Sequence, residues 1–214
     1  NSPLGKLMTV GVVDYGGGNI RSLVKALESL GVSTRMLASP EGFADCDLLV
    51  FPGQGAFGDC MRKLEARELV APLKAWLSGD RPFFGICVGY QLLFESSEES
   101  PGQPGLGIFK GTVQHFPETS LKVPHMGWNS AELNHPESSP WEGLGPAPYF
   151  YFVHSYYPVP ADRSLIAAET EYGLRFAVAV QRGSIIATQF HPEKGQRAGM
   201  RLLGNFLRDN GAIE

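Results

Sequence analysis

Residues 81–94 read RPFFGICVGYQLLF, and this stretch decides the fold. Phe83, Phe84 and Ile86 make a short apolar run with no polar interruption, the pattern of a strand buried on both faces. The run stops at Cys87, which has Gly85 two residues before it and Gly89 two residues after it. A helix is then expected through Gln91 to Phe94. Glycine on both sides of a reactive residue, between a strand and a helix, is the cysteine form of the G-x-S-x-G elbow, which holds a nucleophile at the carboxyl end of a sheet. A helix start beside Cys87 would also favour thiolate over thiol.

On the amino-terminal side, Met8–Val13 (MTVGVV) reads as a buried strand ending in the glycine-rich turn DYGGGN. A helix follows, with Asn19 as N-cap, Gly31 as stop, and Ile20, Leu23, Val24, Leu27 and Leu30 on one face. VSTRML, Leu48–Phe51 and Pro82–Ile86 read as further strands, with a helix in EARELVAPLKAWLSG between them. Strand and helix in alternation imply an α/β fold: an open, mostly parallel central sheet with helices on both faces. Beyond Glu99 the runs GIFKGTVQHF, YFYFVHSYY, FAVAVQ and SIIATQF have no helical stretch between them, so an antiparallel extension is expected in this half. A hairpin is expected at Arg182-Gly183. Asn134–Pro148 reads as a long surface loop, and GQRAGMRLLGNFLRDNG as a closing amphipathic helix. Residues 1–7 are expected to be an expression remnant or a disordered terminus, and residues 8–214 one domain.

Composition narrows the functional classes. The 214 residues carry 18 Lys+Arg against 22 Asp+Glu, and no basic run is present, which argues against a phosphate-backbone ligand. Three cysteines, Cys46, Cys60 and Cys87, include no C-x-x-C pair, so neither a disulfide framework nor a zinc knuckle is indicated and a reducing, cytoplasmic setting fits. No apolar run approaches the ~18 residues of a membrane span. No metal or cofactor is called for.

A cysteine that attacks an acyl carbon needs a base, and the base needs an orienting group. Of the five histidines, His115, His125, His135 and His154 read as satisfied or solvent-exposed. His191 follows the run SIIATQF and has Glu193 two residues on; on an extended segment the two side chains point the same way, so the carboxylate can fix the imidazole tautomer. An oxyanion hole needs backbone N–H groups. Val88, the first amide after the nucleophile, supplies one, and the strand-ending loop Pro52-Gly53-Gln54-Gly55 is placed to supply another. Cys46 and Cys60 lack glycine brackets and read as buried structural residues.

GICVGYQLLFE around Cys87 and QFHPEK around His191 resemble the class I (triad) glutamine amidotransferases. Within them, DYGGGN, PGQGAF, PHMGWN (Pro124–Asn129) and FVHSYY (Phe152–Tyr157) resemble the glutaminase subunits of imidazole glycerol phosphate synthase, in that family's order and over nearly the whole chain. The resemblance implies hydrolysis of glutamine to glutamate and ammonia, and delivery of the ammonia to a (β/α)₈-barrel cyclase subunit in histidine biosynthesis. It implies Cys87 as the thioester-forming nucleophile, His191 as proton shuttle and Glu193 as its orienter. It further implies the amides of Gln54 and Val88 as oxyanion hole, Gly53, Gln91, Ser155 and Tyr156 as substrate-binding residues, and Asn19, Trp128 and Lys194 at the partner interface. Gln54 stands where many members of the superfamily have a second glycine, which predicts an oxyanion loop that waits for a partner. Val88, Tyr90 and Gly195 also depart from the family pattern, and read as packing or capping variants. A free-standing cysteine hydrolase would lack the interface motifs, and a silent scaffold would have no need of all three triad residues.

Overall fold

The computed structural model describes residues 7–119 and 121–214, so the expectation for residues 1–7 lies, apart from the exposed Leu7, outside the described residues. Strand β1 (Thr9–Val13) leads through the glycine turn into helix α1 (Ile20–Ser29), then β2 (Ser33–Leu37) and β3 (Leu48–Phe51). The Asn19 side chain accepts from Ser22 N at 3.4 Å, and Gly31 follows the helix at φ +92°, so both helix signals are used as read. Helices α2 (Phe57–Ala66) and α3 (Val70–Ser78) precede β4 (Phe83–Ile86), after which α4 (Val88–Gln91) is a single turn. Then come β5 (Ser96–Ser97), β6 (Gly111–His115), β7 (His125–Ser130), β8 (Glu132–Leu133), β9 (Tyr149–His154), β10 (Tyr156–Pro160), β11 (Ile166–Glu171), β12 (Arg175–Arg182), β13 (Ile185–Thr188) and α5 (Arg197–Asp209).

Eight strands form the central sheet in the order β2-β1-β3-β4-β13-β12-β11-β8. The first five run parallel and the last three antiparallel, so the sheet is mixed as expected. β4 is buried along its whole length and alternates its side chains between two cores. Phe84 and Ile86 join Leu23 and Leu27 of α1 and Leu202 and Phe206 of α5, whereas Phe83 joins Leu64 of α2 and Leu73 and Leu77 of α3. The Phe84 and Phe206 rings meet edge to face at 5.3 Å. A side chain of this size contributes roughly 1.5–3 kcal/mol when fully buried, which ties α5 firmly to the strand that carries Cys87.

Three local expectations are corrected. EARELVAPLKAWLSG is not one helix: Glu68 takes φ +58° between α2 and α3, and α2, with its apolar face of Phe57, Cys60, Met61 and Leu64, starts at the last residue of the motif PGQGAF. The helix expected as far as Phe94 ends at Gln91, since Leu93 and Phe94 bond three residues back rather than four. The β12–β13 hairpin turns at Gly183-Ser184, one residue later than read, with Arg182 paired to Ile185. The stretch between β8 and β9 contains no helix or strand, as expected, although Trp141 within it is buried and bonds Gln181 at 2.9 Å.

Candidate active site

β3, β4 and β13 lie side by side and parallel, so their carboxyl ends open on one edge of the sheet, where ligands of such folds bind. The elbow is at that edge. Cys87 has φ 52° and ψ −102°, a region L residues avoid, and such strain persists only where the surroundings over-determine it. Its N–H donates to Thr188 O (2.8 Å), and its carbonyl accepts from Tyr90 N (3.0 Å) and Gln91 N (3.1 Å). The flanking glycines serve close approach: a Cβ on Gly85 would lie 2.6 Å from the Gly89 carbonyl oxygen, and one on Gly89 would lie 2.8 Å from the Phe51 ring. Tyr90, one of the departures from the family pattern, is fully buried and donates to Ala177 O (3.2 Å), which pins the elbow to β12. A Cβ on Gly195, another departure, would lie 2.9 Å from Pro192 O, in a close-packed turn.

His191 Nδ1 lies 2.6 Å from Glu193 Oε1, with the two side chains 1% and 5% exposed. The pairing was expected from an extended segment, but a 3-10 turn at Pro192–Lys194 makes it, folding the carboxylate back onto the ring. His191 Nε2 is buried without a hydrogen-bond partner, and so is Glu193 Oε2. Burial alone would lower the imidazole pKa. The neighbouring Cys87 and the Glu193 carboxylate outweigh it and carry the value up to about 9, so the ring holds its proton at neutral pH.

The loop after β3 presses against the elbow: a Cβ on Gly53 would lie 1.7 Å from Ile86 O and 2.8 Å from Val88 N. Tyr15, in the turn after β1, stacks on Phe51 at 5.2 Å and directs its hydroxyl to Pro52 O (3.4 Å) and Gln54 O (3.2 Å). The glycines around Tyr15 drew attention to that turn, and nothing in its spacing announced the tyrosine as the support of the Gln54 loop.

A cleft of about 360 Å³ opens over Cys87, lined by Gln54, Gly55, Gln91, Glu99, His154, Ser155, Tyr156 and His191. Ser155 and Tyr156 reach it because the chain changes sheets there, leaving β9 for β10. Gln91 Nε2 donates to Tyr156 O (3.1 Å) and to Gln189 Oε1 (3.4 Å). Glu99 brings a carboxylate into the cleft and accepts from Phe57 N at 2.6 Å, while Ser100 Oγ accepts from Gly58 N at 2.9 Å, so a loop about forty residues away caps α2. Sequence spacing gave no sign of Glu99, nor of His154, which is a buried part of the cleft wall. Cys46 and Cys60 are buried elsewhere, their thiols pushed up by burial.

β7 and β9 form a two-stranded ribbon whose outer face exposes Met126 (62%), Trp128 (50%) and Tyr149 (63%). Trp128 meets Tyr151 edge to face at 5.9 Å, and Lys194 Nζ lies 5.7 Å over the Tyr151 ring. Asn19 is partly exposed, and its side-chain oxygen is engaged as the α1 cap. A depression of about 840 Å³ borders this face rather than the chemistry and is lined by Trp128, Tyr149, Arg197 and Arg201. Among the described residues no helix is long and apolar enough to cross a membrane, and no three His, Cys, Asp or Glu side chains gather as a metal site.

A positive-φ cysteine elbow on a parallel sheet, facing a His–Glu pair, defines the class, and residues 11–210 match the family described as glutamine amidotransferase class-I, to which the chain belongs. Solved structures agree on the fold: a glutamine amidotransferase (TM-score 0.74, 22% identity, 94% of this chain and 98% of that one) and a GMP synthase-type protein of Thermoplasma acidophilum (0.71, 20%, 96% and 95%). Within the family its place is among the HisH subunits of imidazole glycerol phosphate synthase. It is 47% identical to HisH of Aromatoleum aromaticum over 92% of this chain and 97% of the relative, and 45% identical to HisH of a Synechococcus strain over 94% of each.

Proposed function

We propose that this chain, as one domain over residues 8–214, hydrolyses glutamine to glutamate and ammonia and passes the ammonia to a (β/α)₈-barrel cyclase subunit with which it forms a heterodimer in the cytoplasm. The observation that carries the reading is the His191–Glu193 pair at 2.6 Å, with His191 Nε2 unpartnered beside the strained Cys87. Cys87 Sγ attacks the carboxamide carbon. The oxyanion forms against the amides of Val88 and Gln54, and collapse of the tetrahedral intermediate passes a proton from His191 to the departing ammonia. A water, deprotonated by His191, then attacks the thioester carbon, and collapse of the intermediate releases glutamate and restores the Cys87 thiolate beside protonated His191. Glu193 holds the imidazole tautomer and stabilises the imidazolium.

Gln91 presents its carbonyl oxygen to the substrate, because both hydrogens of its amide are engaged by Tyr156 O and Gln189 Oε1. Backbone groups of Gly53, Ser155 and Tyr156 hold the amino-acid head, and the Glu99 carboxylate faces its ammonium. The ribbon face with Trp128, together with Lys194 and Asn19, docks the cyclase; an apolar face ringed by polar groups fits a protein partner. Tyr15 holds the Gln54 loop through its carbonyls, so the isolated chain is nearly inactive and the partner releases the oxyanion loop. The test is glutamate release from glutamine by the chain alone, with a cyclase subunit, and with that subunit plus its phosphoribulosyl ligand. A strong rise only in the third mixture is expected; equal rates in all three would remove the partner-activated reading.

A further inference from the structure

The mechanism above uses Gln189 only through its amide oxygen, as a support of Gln91, yet the residue is fully buried just after β13 and both ends of its amide are engaged at the site. Its Nε2 donates to Cys87 Sγ at 3.6 Å, an ordinary length for a bond to sulfur, and its Oε1 accepts from Gln91 Nε2 at 3.4 Å. Its own N–H donates to Val178 O at 2.8 Å, so its backbone is fixed by β12. Thr188 Oγ1 donates to Phe190 O at 2.9 Å across Gln189, which braces the backbone that carries Gln189 and leads to His191.

We infer that Gln189 is a positioning residue of the glutaminase reaction: its amide N–H holds and stabilises the Cys87 sulfur as thiolate, and its amide oxygen orients Gln91 so that the Gln91 carbonyl faces the substrate. This rests on the reading of Cys87 as nucleophile. An N–H donor lowers the free energy of an anion far more than that of a neutral thiol, because hydrogen bonds to charged groups are about twice as strong as neutral ones. A proline, glycine or apolar residue at this place would leave the sulfur to His191 alone. The charged and titratable groups around the sulfur are His191 and Glu193 on the turn after β13, Tyr15 in the turn after β1, Glu99 in the cleft wall and His154 on β9. None of these but His191 can act as a standing donor toward Cys87 in the way the Gln189 amide does.

The test compares wild type, Gln189→Met and Gln189→Glu as full chains, alone and with a cyclase subunit. Methionine keeps the volume and removes both polar ends; glutamate keeps the acceptor toward Gln91 and removes the amide donor. Two readouts are used: the pH profile of iodoacetamide alkylation at Cys87, followed by mass spectrometry, and kcat and KM for glutamine in the complex. Gln189→Met is expected to move the alkylation midpoint up by about one pH unit, the size set by one hydrogen bond to a charged group. It should also lower kcat about tenfold and raise KM. Gln189→Glu should move the midpoint up as well but leave KM near wild type. Unchanged midpoints and an unchanged kcat in both variants, with wild type active, would overturn the role of Gln189 and leave the triad standing. A wild-type complex that releases no glutamate would instead overturn the underlying reading.

Discussion

His125 Nδ1 and His154 Nε2 lie 2.9 Å apart inside the protein, and the surrounding hydrogen bonds determine which of them donates. His154 Nδ1 is 2.9 Å from Tyr156 O, which can only accept, so Nδ1 carries the proton and Nε2 is the acceptor. His125 therefore donates through Nδ1, and its own Nε2 accepts from the Asn129 amide at 3.3 Å. The two neutral rings connect the exposed β7–β9 ribbon to the carbonyl that Gln91 also holds. Burial pushes the pKa of His125 down to about 4 and that of His154 to about 3.

The pair makes the protein acid-sensitive. In the unfolded chain both rings titrate near ~6.5, so between there and about 4 the unfolded state binds protons that the folded state does not, and stability falls as pH falls through that window. His191 acts on the alkaline side: its raised pKa gives stability that is complete below ~6.5 and is lost as pH rises through about 9. Urea unfolding at pH 7 and pH 5 should give a lower midpoint at pH 5. A His125→Phe/His154→Leu double variant should flatten that difference, and an identical drop in both proteins would refute the assignment.

Glu193→Gln removes the charge that balances the buried imidazolium. Burial and Cys87 then set the balance without the carboxylate, so the His191 pKa should fall from about 9, readable by NMR of the ring. The rate should fall by about 10²–10⁴-fold, in kcat rather than KM.

Gly53→Ala should abolish activity. The added methyl would lie 1.7 Å from the Ile86 carbonyl, a backbone atom that cannot swing aside, so the loop or the elbow must move. Gly55→Ala meets nothing within 4 Å and carries only the strain of φ +115°, so it should lower stability by about 1–2 kcal/mol and retain measurable turnover. Thermal melts and glutaminase assays on both variants distinguish contact from conformation.

Tyr15→Phe keeps the stack on Phe51 and removes the hydroxyl that reaches Pro52 O and Gln54 O. Glutamate release by the chain alone should rise, and the stimulation given by the cyclase subunit should shrink. No change in either quantity would show that the loop is held by something else.

Trp128→Ala on the half-exposed ribbon face should weaken cyclase binding by about 2 kcal/mol or more, the loss typical of a central interface tryptophan, while leaving the melting temperature almost unchanged. Isothermal titration calorimetry reads the first and a thermal melt the second.

The elbow, the parallel strands on its amino-terminal side and the His191–Glu193 pair were legible because each is local: glycine brackets, alternation of strand and helix, and a two-residue spacing. What escaped was set by tertiary contact. Glu99 caps α2 from about forty residues away, Tyr15 supports a loop of another strand, and Gln189 reaches Cys87 only because β13 slots beside β4. His154 read as a bland histidine because its partners, His125 and Tyr156 O, belong to a ribbon and a sheet change that no periodicity announces. The spacing argument for His191 reached the right contact by way of the wrong backbone, an extended segment where a 3-10 turn stands.

The insertion of β13 between β4 and β12 also orders events in time. The ribosome releases Cys87 well before His191, and the first strands can already pair while the last has not been made. Until β13 takes its slot, the thiol has no His191 beside it, no Gln189 amide and no Thr188 carbonyl to receive its own N–H. On the proposed mechanism, a nascent or truncated chain lacking that strand carries a cysteine without its partners, so glutamine hydrolysis waits on the arrival of β13.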